Sequence, residues 1–348
     1  MTSPIKTALL SFGMSGRVFH GPFLHAHPGF EIAKVWQRSK SDVHDMFPYT
    51  TIVRSMEEIL EDQAIELVFV NTPDIHHHAH TLAALHAGKH VVVEKPFTIT
   101  PGEAQELVDV AAEKNLMLSV YQNRRWDSDF RTLKQVIASG WLGRLVEIHS
   151  GYQRYRNFIQ PNTWKEAPLP GAGIVYNLGS HLIDQALHLL GMPEEVFADI
   201  RTQRTGGQIP DHFQITLFYN ELKFNLMAGY LVREPGPRFK VLGTEGTYIK
   251  YGMDPQEEML KLGTLPVGAN WGAEPESEWG SIHTTVGGMT VKGKIESLKG
   301  NYMDYYQNIY EAIREGKPLA VPGSDGVRTI KVIEAAVKSF SEGKRVRL

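Results

Sequence analysis

Short, nearly continuous apolar runs recur through the first third of the chain: Ile5-Lys6-Thr7-Ala8-Leu9-Leu10, Glu31-Ile32-Ala33-Lys34-Val35-Trp36, Leu67-Val68-Phe69-Val70 and His90-Val91-Val92-Val93-Glu94. Runs of this length with little polar alternation read as strands buried on both faces, the pattern of a parallel sheet covered by helices. Between the last two, Ala79 to Gly88 places apolar residues at helical spacing and ends on a glycine suited to a C-cap, which completes one βαβ unit. Near residue 122 the texture changes. A helix around Arg131 to Gly140 gives way to longer alternating segments such as Val146-Glu147-Ile148-His149-Ser150-Gly151-Tyr152, which suit an antiparallel sheet with one wet face. Ile330, Val332, Ile333, Ala336, Val337 and Phe340 predict an amphipathic helix over 329–340. The pattern therefore predicts an α/β chain of two domains, residues 1–121 and 122–348, the second of α+β type.

Length agrees, because 348 residues exceed the usual size of one hydrophobic core. Basic and acidic residues number 36 and 39, a formal net charge of -3, and neither sign forms a long run. Nucleic acid and membrane are thus not expected as partners. The sequence has no apolar stretch of about 18 residues, and Met1 to Lys6 leads into a strand without an apolar signal region, so the expected location is the cytoplasm. Cysteine is absent, which excludes disulfides, a thiol nucleophile and thiolate metal sites. Chemistry must come from Lys, His, carboxylates or a cofactor.

Directly after the first strand stands Ser11-Phe12-Gly13-Met14-Ser15-Gly16, a G-x-G-x-x-G pattern with serine in its first position. Glycines there allow a tight turn, let backbone N–H groups approach a pyrophosphate, and let the following helix pack near the strand. Helix N-termini also favour anions. Residues 1–121 accordingly read as a Rossmann domain, with Phe12, Gly13, Met14, Ser15 and Gly16 as cofactor contacts. About 20 residues further on, NAD-specific proteins carry Asp or Glu for the ribose hydroxyls. This chain has Gln37-Arg38-Ser39-Lys40 instead. Arg38, Ser39 and Lys40 suit a 2′-phosphate, so NADP is the expected cofactor and NAD the less favoured one. A solvated helix start would also tolerate these residues.

Ligands of such a sheet gather at the carboxyl ends of its strands, where this chain has Asn71-Thr72-Pro73 and Glu94-Lys95-Pro96. Lys95 is the first catalytic candidate, because burial and a neighbouring positive ring lower a lysine pKa into the working range. Pro96 is a candidate cis proline. Asn71, Thr72, Pro73, His76 and Glu94 join the expected cofactor contacts. The run His76-His77-His78-Ala79-His80 lacks a defined third ligand, and no metal is expected. The second centre is Gly171-Ala172-Gly173 leading to Leu178-Gly179-Ser180-His181-Leu182-Ile183-Asp184. A helix from about Asn177 would align Asn177, His181, Asp184 and His188 on one face at steps of four, three and four. His181 is the second catalytic candidate, since a neutral imidazole accepts a proton from an alcohol as hydride leaves.

Taken together, these motifs resemble the glucose-fructose oxidoreductase/inositol dehydrogenase/MocA family over nearly the whole chain, including the C-terminal Gly316-Lys317-Pro318-Leu319-Ala320-Val321. The resemblance implies that Lys95 and His181 flank the reacting carbon. It also implies a C-terminal domain built on a large, open, mostly antiparallel sheet, and a homodimer or homotetramer paired through the outer face of that sheet. Tyr121 to Asp127 and Lys250 to Glu258 resemble the NADP-dependent scyllo-inositol dehydrogenase subgroup; their plainer reading is salt-bridged strand ends and turns. Two positions depart from the family pattern. Ser11 replaces the first fingerprint glycine, and Asn177 stands where many members carry a catalytic aspartate. The expected function is hydride transfer between NADP(H) and a hydroxyl-bearing carbon of a cyclic polyol or sugar. Lys95, Asn71, Asn123, Arg124, Trp164, Lys165, Asn177, His181 and Tyr306 are the expected substrate contacts, with Asn123 also touching the cofactor. The alternatives are a nucleotide-binding sensor of the same fold, which Asn177 would suit, and an NAD-dependent glycosidase.

Overall fold

The computed structural model describes residues 3–161 and 163–348, with the side chain of Trp164 outside that description. Among the described residues the strands build two sheets, one of six strands and one of nine. The first contains β1 (Ile5–Leu9), β2 (Phe30–Trp36), β3 (Thr51–Val53), β4 (Leu67–Val70), β5 (His90–Val93) and β6 (Leu118–Val120), in the order β3-β2-β1-β4-β5-β6. Every pairing is parallel. All four residues of β4 are buried, as a central strand covered on both faces requires. This is the doubly wound Rossmann order, and its strand order reverses where β1 adjoins β4. The loops leaving those two strands carry Ser11–Gly16 and Asn71–Pro73.

The second sheet contains β7 (Leu145–Gln153), β8 (Glu195–Arg201), β9 (His212–Tyr219), β10 (Leu222–Gly229), β11 (Phe239–Gly243), β12 (Gly246–Lys250), β13 (Gly280–Val286), β14 (Met289–Ile295) and β15 (Val346–Arg347). Its order is β14-β13-β12-β11-β7-β10-β9-β8-β15. The β7–β10 pair is parallel and the other pairs are antiparallel. Val196, Ala198 and Ile200 of β8, Phe213, Ile215 and Leu217 of β9, and Phe224, Leu226 and Ala228 of β10 are buried. The residues between them are mostly half-buried or exposed, which is the alternation expected of a sheet with one dry face.

Two compact units result. One comprises residues up to Trp126 together with Pro255–Trp271 and Asn301–Val327; the other comprises Asp127–Asp254, Gly272–Gly300 and Arg328–Leu348. A cut at 121/122 separates the strands of the two sheets, but nothing in the apolar pattern marks the two later segments that return to the first unit. The predicted helices appear as His77–His86, Ser128–Ala138 and Gly323–Glu342. No helix among the described residues is long and apolar enough to cross a membrane.

Candidate active site

The turn after β1 leads into a continuous helical stretch whose first part, Ser15–His20, is a π-helix and whose second, Gly21–Ala26, is an α-helix. A Cβ on Gly16 would stand 2.7 Å from the Ser11 carbonyl oxygen, so only glycine lets the backbone pass there. Gly13 faces open space. Ser11, where the fingerprint has glycine, uses its side chain. Its Oγ donates to the Asn71 carbonyl at 2.7 Å and its N–H donates to Asn71 Oδ1 at 2.9 Å, while Asn71 Nδ2 donates to the Ser11 carbonyl at 2.9 Å. Asn71 is buried, and its amide is committed to joining the ends of β1 and β4 rather than to a substrate hydroxyl. Phe12 is buried edge-on against Phe47, and Met14 is exposed.

Arg38, Ser39 and Lys40 are all exposed just past β2. Arg54, which the sequence reading missed, holds this loop: its guanidinium donates to the carbonyls of Gln37 and Lys40, both at 2.7 Å, and to Ser41 Oγ at 3.1 Å. Next to it, the end of β4 carries a cluster of rings. His80 Nδ1 meets Thr72 Oγ1 at 3.0 Å, and His80 stacks on His76 with centroids 5.3 Å apart and lies edge-on to Trp36. Burial, then the neighbouring His76 and His77, hold the His80 pKa down at about 4. Among the described residues no His, Asp or Glu grouping has the geometry of a metal site.

Lys95 follows β5, and the Lys95–Pro96 bond is cis. Three residues secure this strand end. Glu94 accepts the Lys95 backbone N–H on Oε2 at 3.2 Å and meets His20 Nε2 with Oε1 at 3.1 Å. Burial works to raise the Glu94 carboxyl, but the His20 hydrogen bond and the charges of His20, Lys95 and His77 outweigh it and hold it below its ordinary value. His77 is the third. Its Nδ1 lies 2.7 Å from the Pro96 carbonyl and its Nε2 3.0 Å from the Thr72 carbonyl, so one buried ring ties the β4 and β5 loops together. Burial lowers the His77 pKa against the pull of the Pro96 carbonyl and Asp74.

Tyr306, expected to touch substrate, belongs instead to the core of the first unit. It is fully buried, stacks on Phe23 at 5.0 Å, and adjoins Phe69, Tyr121 and Tyr305. Its hydroxyl donates to the Phe19 carbonyl at 2.8 Å and meets His20 Nδ1 at 3.0 Å. The correction has a simple cause: a tyrosine in an amphipathic helix reads the same whether its hydroxyl ends against a ligand or against a buried imidazole. Asn123 and Arg124 are buried in the short helix Asn123–Trp126. Arg124 donates to Tyr302 at 3.0 Å and is paired with Glu257; Arg125 donates to the Ala320 carbonyl at 2.7 Å and to Asp325 at 2.8 Å. Burial works to raise Glu257, but Arg124 and then Lys261 prevail and hold it at about 2. Tyr121 to Asp127 and Lys250 to Glu258 are thus in large part structural rivets, with Lys250 paired to Glu274 at 3.1 Å and Asp254 accepting the Ser128 N–H at 2.7 Å.

In the second unit, Gly173 adopts φ +97°, and a Cβ there would meet the Pro210 carbonyl oxygen at 2.9 Å. A π-helix over Val175–Gly179 follows, then the α-helix Ser180–Leu190. This second π turn overturns the single polar stripe. Asn177 lies within it, where the pitch is wider than 3.6 residues, and both Asn177 and His188 are exposed while His181 and Asp184 are buried. The helix is anchored through Gln185, which accepts from Arg238 at 2.7 Å; Arg238 also bonds Asp129, Ser150 and Tyr152. Lys165 is exposed, and the Trp164 side chain lies outside the described residues. Their segment is stapled by Arg204, which bonds the Phe158 carbonyl, Glu166 and Asp211. Neither arginine has a local motif that would announce its role.

Both units find their relatives in one place. An oxidoreductase-family model of the NAD-binding Rossmann fold matches residues 5–122, and the same family's C-terminal alpha/beta domain matches residues 134–348. The chain belongs to the Gfo/Idh/MocA oxidoreductase family. Among its Gfo/Idh/MocA relatives, scyllo-inositol 2-dehydrogenase (NADP(+)) IolW of Bacillus subtilis (strain 168) is 42% identical, over 99% of this chain and 96% of its own. A solved oxidoreductase structure from Bacteroides fragilis NCTC 9343 is 49% identical, covers 99% of this chain and 100% of that one, and superposes with a TM-score of 0.92. The structure of the oxidoreductase yvaA from Bacillus subtilis is 41% identical over 100% of this chain and 99% of that one, with a TM-score of 0.96. The chain is thus an oxidoreductase of the Gfo/Idh/MocA family, close to an inositol dehydrogenase, with an NAD(P)-binding Rossmann domain.

Proposed function

We propose that this protein oxidises a hydroxyl-bearing carbon of a cyclic polyol or sugar, with NADP as hydride acceptor and scyllo-inositol as the first substrate to try. The observation that carries the cofactor choice is the exposed Arg38-Ser39-Lys40 loop, which has no acid at the ribose-recognition position. No hydrogen bond or ion pair among the described residues commits the side chain of Arg38 or Lys40, and a 2′-phosphate fits that donor set. The Gly13–Gly16 turn suits a pyrophosphate, since Gly13 faces open space and Gly16 lets the backbone turn tightly past the Ser11 carbonyl. When bound, the nicotinamide supplies the hydride acceptor. Lys95 takes the proton from the reacting hydroxyl as the carbon loses hydride, so that one C–H pair and one O–H proton depart and a carbonyl is left. His181, buried on the Ser180–Leu190 helix of the second unit, is the other candidate acid–base group. The IolW relative, named for NADP and scyllo-inositol, supports both choices.

Titration with NADP and NAD, following protein fluorescence, tests the cofactor arm. NADP should bind more tightly, and Arg38→Ala should weaken NADP by about tenfold to a hundredfold, the cost of one charge-assisted hydrogen bond, while leaving NAD within about twofold. Equal loss for both cofactors would contradict it. Asn177 favours one second reading, a sensor that binds NADP without turnover; tight binding with no product from any polyol would select it. Subunits pairing through the outer face of the nine-stranded sheet belong to the same proposal, with a dimer or tetramer expected by light scattering.

A further inference from the structure

Between the nucleotide-binding turn and the Lys95 strand end lies a buried pair that this mechanism has not used. His20, 0% exposed, closes the π-helix that begins at Ser15. Tyr306 spends its one hydroxyl proton on the Phe19 carbonyl at 2.8 Å, so toward His20 Nδ1 at 3.0 Å it is an acceptor. Glu94 Oε1 is an acceptor toward Nε2 at 3.1 Å. Both ring nitrogens face acceptors, and a ring protonated on both satisfies both. Glu94 in turn receives the Lys95 N–H on its other oxygen. We propose that His20 is a positioning residue for Lys95: by pairing with the Glu94 carboxylate it fixes the strand end and offsets a negative charge that would otherwise hold the Lys95 ammonium protonated. The inference rests on the reading of Lys95 as the group that handles the substrate proton.

The physical reason is Coulombic. An uncompensated carboxylate within a few ångströms favours the charged form of a lysine, whereas a carboxylate neutralised by an imidazolium contributes little. A base that must take a proton from an alcohol near neutral pH therefore gains from having Glu94 paired. The other charged and titratable groups facing this trio are Asp74 and His77 from the segment after β4, Tyr121 just past β6, and Tyr305 and Tyr306 from the Met303–Glu315 helix. The arrangement also links two tasks, because His20 closes the helical turn that begins at the proposed nucleotide-binding loop.

The test uses the whole protein with its lysines reductively methylated with 13C, the Lys95 resonance being identified by its loss in Lys95→Arg. His20→Gln keeps one N–H donor but removes the positive charge; His20→Asn is the second version of the same loss should the first not fold. The Lys95 titration midpoint should rise by about one pH unit or more in either variant. It should return toward the wild-type value in the double variant His20→Gln/Glu94→Gln, where no charge is left to balance, and a merely structural role would not produce that rescue. The acid limb of kcat for NADPH formation from scyllo-inositol should move with the midpoint. An unchanged midpoint in the folded single variant, or a double variant no closer to wild type than the single one, overturns the role of His20. Full turnover in Lys95→Arg instead overturns the reading of Lys95, and does so whichever way the titration comes out.

Discussion

At the scale of single residues, the candidates that a sequence can name are those that stand in local motifs. Lys95 and His181 stand in local motifs, so the sequence names them as candidates. Tyr306 and His20 meet across 286 residues, and the Asn71–Ser11 lock spans 60; such pairings leave no trace in a local pattern. Hence Tyr306 reads as a substrate contact from sequence and is a buried partner in the fold. Its replacement has a definite expected outcome. In Tyr306→Phe the ring still stacks on Phe23, but the Phe19 carbonyl and His20 Nδ1 each lose a buried partner. Unfolding stability should fall by about 1 to 3 kcal/mol, read from the urea midpoint at constant slope. No loss would mean that the hydroxyl is not used as the geometry requires.

Elements were legible where burial alone writes the pattern. β1, β2, β4 and β5 are apolar runs, and their parallel order follows from alternation with helices. β3 and β6 span three residues each, too short for a period to register. The two π turns were not legible either, because a widened turn depends on which backbone carbonyl accepts each N–H, and the side-chain pattern does not encode that. Each is associated with a glycine that a Cβ would disturb, Gly16 within the first and Gly173 two residues before the second. Substitution at these glycines has a different expected effect in each unit. Gly16→Ala should weaken NADP binding by about tenfold or more while leaving the second unit intact, since the Ser11 carbonyl must move. Gly173→Ala should leave NADP affinity within about twofold but lower kcat and melting temperature together, because a side chain at φ +97° strains the entry to the His181 helix. Cofactor titration beside thermal melting checks both.

For the whole molecule, the long-range links give a signature in pH. His80 is held at about 4 in the fold and His77 is also lowered, whereas in the unfolded chain each titrates near the ordinary value of about 6.5. Between those values the unfolded state binds more protons, so stability is full above about pH 6.5 and falls as pH drops toward 4. Glu257, held at about 2 beside Arg124, adds a separate loss from about pH 4.3 downward, the ordinary glutamate value. Urea midpoints at pH 8, 6, 5 and 4 should show the first fall, and His80→Asn should remove part of it; a flat profile over this range would contradict the burial argument. Function is tested at the same scale, on the intact chain. The direct measurement is absorbance at the reduced-nicotinamide band with the purified protein, NADP or NAD, and a panel of inositols and aldoses, run beside Lys95→Ala. NADPH should form with at least one polyol, scyllo-inositol first, and its rate should fall at least about a hundredfold in the variant. NADPH formation at an undiminished rate in Lys95→Ala, or tight NADP binding with no turnover across the panel, would contradict it.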